Sequence, residues 1–192
     1  MMLSIVAYGH PVLKEVCENI SPDYPQLQQL IANMWETMYG SMGVGLAAPQ
    51  VNEPIRLFVV DSKQVINALS EDQKAMFPGD DGIKQVFINA QQVETAGEEW
   101  PFPEGCLSIP GIREEVYRPQ KIRLRYLDEN FHLHERTFHG ITARVIFHEY
   151  DHIEGKLFID YLDPLKRSML EGQLGGISQG RIETGYKMIF YK

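Results

Sequence analysis

The sequence predicts one α+β domain over residues 1–192, with antiparallel sheets packed around a buried central helix. Three observations carry that reading. Apolar and polar side chains alternate in two runs, 121–126 and 131–138, around the turn Asp128-Glu129-Asn130, which is a hairpin signal. Helical segments are few and do not alternate regularly with strands, so a wound parallel sheet is not indicated. The segment 140–155 is apolar on most sides, through Ile141, Val145 and Ile146, and so belongs inside.

Taken in order, residues 21–39 contain an amphipathic helix. Leu27, Leu30, Ile31, Met34, Trp35 and Met38 follow i, i+3, i+4, i+7, i+8, i+11, with Ser21 or Asp23 as the expected cap and Gly40 as the stop. Gly43-Val44-Gly45-Leu46-Ala47-Ala48-Pro49-Gln50 follows. It lacks the third glycine of a dinucleotide fingerprint and the Lys of a phosphate loop. Its small residues fit either a tight turn under a helix or a floor for a substrate main chain, with the Gln50 amide as a donor.

Residues 55–60 read as a strand, and 62–82 as a polar surface excursion with one short helix in 65–76. Another strand lies within 84–94, and 98–111, rich in Pro, Gly and Glu, reads as a loop. Gly140 opens the central helix with Thr142 as cap, and Gly155 ends it. Asp163-Pro164 opens a last helix to about Leu174, closed by Gly175-Gly176. The tail, 177–192, reads as a final strand.

Composition narrows the function. Apolar residues make up 44% and charged residues 23%, and the net charge of −8 excludes nucleic-acid binding through a general basic surface. Residues 1–8 lack a basic leader region, their apolar run breaks at Gly9-His10-Pro11, and no run has the length of a membrane span. The expectation is a cytoplasmic protein with no membrane contact. In that compartment Cys17 and Cys106 stay unpaired; Cys17 sits among apolar residues as a core thiol, whereas Cys106 lies in a glycine-containing stretch.

The chemistry centres on His148-Glu149-Tyr150-Asp151-His152, which reads H-E-x-x-H. On a helix the two imidazoles share a face and can hold one metal ion, with Glu149 placed as a base toward a water beside it. The pattern fixes only three positions, so two core histidines beside a solvated Glu would look the same. An open catalytic site needs a third ligand. The extended motif would put a His at the position of Phe158 and fails. Glu171 on the last helix stays open as an endopeptidase-type ligand. Cys106 suits the chemistry best, since a thiolate with two imidazoles selects Zn²⁺ or Fe²⁺ over Mg²⁺ or Ca²⁺. A closed structural site would need a fourth ligand. His132 and His134 share a strand face with Arg136 and read as solvated.

Three stretches together resemble one family. Gly43–Gln50, Glu104-Gly105-Cys106-Leu107-Ser108 and His148–His152 are similar, in order and spacing, to the three signature motifs of peptide deformylases, and the similarity spans about residues 5 to 165. One departure is Phe147, where the family has Gln before the first His; it affects hydrogen bonding around the ligands rather than the ligands themselves. The resemblance implies removal of the N-formyl group from the initiator formylmethionine of new polypeptides, with formate as product and ribosome association as a further expectation. It implies Cys106, His148 and His152 as metal ligands, Fe²⁺ as native ion with Zn²⁺, Ni²⁺ or Co²⁺ as substitutes, and Glu149 as general acid/base. Gln50 and the Leu107 N–H would polarise the formyl oxygen. Gly45 and Gly105 would lie along the substrate chain. Val44, Ile141 and Val145 are candidates for the methionine pocket, and Arg113 for a substrate-backbone contact.

Overall fold

The computed structural model describes residues 1–191. A five-stranded antiparallel sheet has the order β2 (Gly45–Ala47), β3 (Leu57–Asp61), β4 (Lys84–Cys106), β5 (Ile109–Leu127), β6 (Leu133–His139). A second pair, β1 (Ile5–Val6) with β7 (Met188–Ile189), is parallel, so the expectation of antiparallel pairing fails for this small sheet. Helix α4 (Gly140–Ile153) packs against the larger sheet.

The core explains that placement. Phe58, Phe87, Tyr126 and Phe138 form a ring cluster, with Phe58 and Phe87 stacked at 4.7 Å and Phe87 and Tyr126 at 4.4 Å between centroids. Ala143, Val145, Ile146, Phe147 and Ile153 of α4 close over it. Cys17 is buried in the same cluster, and burial pushes its thiol up to about 12, as for an inert core thiol. A second cluster joins β1, the end of the β4–β5 hairpin and helix α5 (Pro164–Ser178). A third packs helix α1 (Leu27–Gly40) on β2 and β3 through Leu27, Ile31, Met34 and Met38.

Several local expectations are corrected. Helix α1 starts at Leu27 and neither Ser21 nor Asp23 caps it; Gln26 takes a left-handed backbone (φ 54°) straight after Pro25, which breaks the chain direction there. Residues 98–111 are not a loop. They form the far end of one long hairpin, the last part of β4, the two-residue turn Leu107-Ser108 and the start of β5, with pairing from Glu99↔Pro119 to Cys106↔Ile109. Pro101 and Pro103 are tolerated because this part of β4 has run past β3 and is an edge. Helix α5 does not stop at Gly175-Gly176. It runs to Ser178, because Leu174 and Ile177 are both buried, and the left-handed residue comes later at Gly180 (φ 71°). The tail is strand only at Met188–Ile189.

The stretch 62–82 holds two short helices, α2 (Lys63–Ala68) and α3 (Glu71–Lys74). Its end does more than cover surface. The Asp80 carboxylate accepts the Thr142 N–H at 2.9 Å and the Thr142 hydroxyl at 2.5 Å. Asp80 therefore satisfies an open N–H in the first turn of α4 from outside the helix, and Thr142 is held by that cap rather than providing one. A negative charge at this end also opposes the positive pole of the helix.

Candidate metal centre

The geometry of the candidate ligands follows from two elements. Strand alternation puts Glu104 and Cys106 on one face of β4, and both are buried. Helical spacing puts His148 and His152 on one face of α4. Their donor atoms converge: one atom each from Cys106, His148 and His152 lies within 4.8 Å of the others. The Cys106 sulfur is 3.3 Å from His152 Nε2. No other group of three or more His, Cys, Asp or Glu side chains among the described residues has this geometry. Glu171 is exposed on α5 and outside the cluster, and His134 pairs with Asp128 at 2.8 Å instead.

The donors fit a metal ion. His148 Nδ1 donates to Glu104 Oε2 at 3.0 Å, so in the neutral ring Nε2 is the atom left to bind an ion. Glu149 is 4% exposed, and its Oε2 has no hydrogen-bond partner. One cysteine sulfur and two imidazoles are a three-donor set that suits a borderline divalent ion with an open position, and the unpaired Glu149 carboxylate lies in the same buried place without being one of the donors. Burial, helped by the charge of Glu104, pushes the Glu149 carboxyl up to about 7 against the opposing effect of His148. Burial alone would lower His148, but its hydrogen bonds with Cys106 and Glu104 outweigh it and hold the imidazole well above its usual value. Burial and the neighbouring His148 hold His152 well below.

A buried ion cluster braces the candidate ligands. Arg118 makes a two-pronged contact with Glu104, at 2.6 and 2.9 Å, and reaches Asp151 at 2.6 Å. Arg144 adds a contact to Glu104 at 3.1 Å, and Tyr161 donates to Asp151 at 3.0 Å. Two carboxylates and two guanidiniums balance, which is the condition for burying them. Phe147 takes no part in hydrogen bonding. Its buried ring lies 5.7 Å from the Arg118 guanidinium carbon, and His148 finds its acceptor in Glu104.

The centre opens into a cleft of about 680 Å³. Val44, Gly45, Gln50, Gly105, Leu107, Ile141, Val145 and Arg113 all line it, together with His148 and Glu149. Gln50 is 1% exposed and its amide cannot turn freely. Its Oε1 accepts the Ala47 N–H at 2.9 Å, so its NH₂ faces Cys106 Sγ at 3.4 Å and Ser108 Oγ at 3.3 Å. Gly45 is required by close approach: a Cβ there would lie 2.4 Å from Glu149 Oε1 and 2.7 Å from its carboxyl carbon.

Sequence reasoning does not single out Arg118, Arg144, Asp151 or Tyr161, nor Glu104 as the partner of His148. Arg118 and Arg144 carry a weak signal, as charged residues inside otherwise core-facing patterns. Glu183, Thr184 and Tyr186 of the tail also line the cleft, and nothing in their local sequence marks them.

Comparison with known proteins gives the family. A family model described as polypeptide deformylase matches residues 2–168. A peptide deformylase of Christiangramia forsetii is 50% identical over 192 residues, covering 99% of this chain and 96% of that protein. One of Flavobacterium psychrophilum is 49% identical over 190 residues, covering 98% and 96%. Among solved structures, a peptide deformylase from Legionella pneumophila is 34% identical, covers 94% of this chain and 98% of its own, and superposes with a TM-score of 0.78. A peptide deformylase from Plasmodium falciparum superposes with a TM-score of 0.78 at 31% identity, covering 92% of this chain and 96% of its own. By family match and by identity over nearly its whole length, the chain belongs to the polypeptide deformylase family.

Proposed function

We propose that the chain hydrolyses the N-formyl group of formylmethionyl polypeptides, with Cys106, His148 and His152 holding one divalent ion and Glu149 moving the proton. The single observation that carries this is the meeting of those three donors with the unpaired, buried Glu149 Oε2 in one cleft. Fe²⁺ is the ion proposed as native, with Zn²⁺, Ni²⁺ and Co²⁺ as substitutes, since thiolate and imidazole suit all four. When bound, the ion supplies the Lewis acidity that makes a water nucleophilic at neutral pH.

The side chains do the rest. Glu149 takes a proton from the attacking water, and a carboxylate with a pKa raised toward neutrality is matched to that task. Water oxygen bonds to the formyl carbon. The Gln50 NH₂, held in place by its Ala47 contact, and the Leu107 N–H donate to the formyl oxygen as charge grows on it. The C–N bond breaks, Glu149 returns the proton to the leaving amine, and formate departs. Val44, Ile141 and Val145 give the methionine side chain an apolar wall. Gly45 and Gly105, with no side chains, let the substrate backbone approach, and Arg113 at the rim contacts it. Formylated nascent chains exist where translation occurs, so the proposed place of action is the cytoplasm, beside the ribosome.

The test is formate release from formyl-Met-Ala-Ser by protein loaded anaerobically with Fe²⁺. Formate in step with free peptide amine is the expected result. A fully metallated protein that releases none would overturn the reading. Gly45→Ala should then cut turnover by about 10²-fold or more while metal content stays at one per chain, because the new methyl displaces the Glu149 carboxylate. Turnover within a few-fold of the parent would show that Glu149 does not work from this position.

A further inference from the structure

We infer that Tyr186 is a positioning residue for the formyl-oxygen donor, holding the Leu107 peptide from the C-terminal segment. The inference rests on the deformylase reading for the role of the Leu107 N–H, and on separate geometry for the clamp.

Leu107 and Ser108 are the two residues of the turn between β4 and β5, directly after the ligand Cys106. Each carbonyl of that turn is held from outside the hairpin. Ser108 O accepts the Tyr8 N–H at 2.8 Å, and Leu107 O accepts the Tyr186 hydroxyl at 2.8 Å. Tyr8 follows β1 and Tyr186 precedes β7, and those two strands pair with each other. Ile5 N–H donates to Lys187 O and Ala7 N–H to Ile189 O, both at 2.8 Å, so both holding groups project from one small, hydrogen-bonded unit. The small parallel pair is thus a clamp on the turn.

The clamp bears on the donor. A peptide plane is rigid, so fixing Leu107 O fixes the Leu107–Ser108 plane, and fixing Ser108 O fixes the next. Gln50 Nε2 reaches Ser108 Oγ at 3.3 Å from the other side. On the N-terminal side the Cys106 sulfur is held between His152 Nε2 at 3.3 Å and the Gln50 amide at 3.4 Å. The Leu107 N–H lies between these two anchors, and its direction is set by a few torsions that the anchors leave little room to change. Tyr186 and Thr184 also line the cleft, and Thr184 donates its hydroxyl to Tyr186 O at 2.6 Å, which steadies the segment. A preorganised donor is worth most where charge develops, and one that wanders loses much of that.

The variant Tyr186→Phe removes one hydroxyl and keeps the ring. With formyl-Met-Ala-Ser, kcat should fall by about five- to tenfold with KM within about twofold, because the oxygen donor acts more strongly in the transition state than on bound substrate. Metal content should stay at the parental value, and the melting temperature should fall by no more than about 2–4 °C, the usual effect of losing one hydrogen bond. In the zinc-loaded protein labelled with ¹⁵N-leucine, the Leu107 amide resonance should move while those of leucines far from the turn do not. Parental kcat, or an unmoved Leu107 resonance, would overturn the proposal, as would a loss of kcat that follows a loss of metal. If the parent protein released no formate at all, the deformylase reading would fail by itself, and the resonance would still decide whether Tyr186 holds the turn.

Discussion

Glu149→Ala is expected to keep its metal and lose formate release by at least about 10²–10⁴-fold, the usual worth of a positioned general acid–base. The carboxylate is not among the three converging donors, so its loss leaves the proposed ligands intact. Its surroundings add a consequence for stability. Glu149 is 4% exposed, and its Oε2 has no hydrogen-bond partner. A buried polar group in that state costs stability, and residues held so for function are where stability and activity oppose each other. Glu149→Ala and the near-isosteric Glu149→Gln should therefore melt at or above the parental temperature while both are inactive. Metal content by elemental analysis, formate release and a thermal melt check this together. Full metal with near-normal turnover would remove Glu149 from the mechanism. Loss of the ion would make it a ligand or a brace rather than the base.

How much of this is legible in the sequence depends on whether the signal is local. His148, Glu149 and His152 can be read because a helix turns four residues of sequence into one face. Helix α5 opens where Asp163-Pro164 indicates, with Asp163 accepting the Lys166 N–H at 2.9 Å, since a cap is a contact within one turn. Cys106 needs a chemical argument, because it comes from a different element. The stretch 98–111 misleads for a related reason. Its prolines and glycines look like a loop, but its partner strand lies up to about twenty residues away and imposes the pairing from outside. The cap of α4 comes from Asp80, sixty-two residues before Thr142, and the grip on Leu107 from Tyr186, seventy-nine residues after it. No local pattern encodes contacts of that span. The ion cluster around Glu104 is hidden too. Charged residues read as surface until the structure shows them buried in balanced pairs.

That cluster carries the other large effect. Arg118→Ala should destabilise the protein by about 3–5 kcal/mol, the usual result of removing one partner from a buried ion pair. The reason is what stays behind. Glu104 and Asp151 have side chains 4% and 9% exposed, and Arg118 is the guanidinium that touches both. Without it, Glu104 keeps Arg144 and His148, while Asp151 keeps only the Tyr161 hydroxyl. Two like charges then share a dry region, and the release of either moves a ligand: Glu104 orients His148, and Asp151 sits one residue from His152 on α4. Metal affinity should accordingly drop by about 10–100-fold, the range found when a group that orients a ligand is lost. A double-mutant cycle separates the two effects. Arg118→Met with Asp151→Asn should cost less stability than the sum of the single changes, because the second removes the charge that the first strands. It should restore little metal affinity, since Glu104 is still without its two-pronged partner and His148 is still poorly held. Thermal melts and competitive metal titration read the two quantities independently. Strict additivity in the melts would mean that Arg118 and Asp151 are neighbours without being coupled, and that the balance of charge around the ligands comes from Glu104 and Arg144 alone.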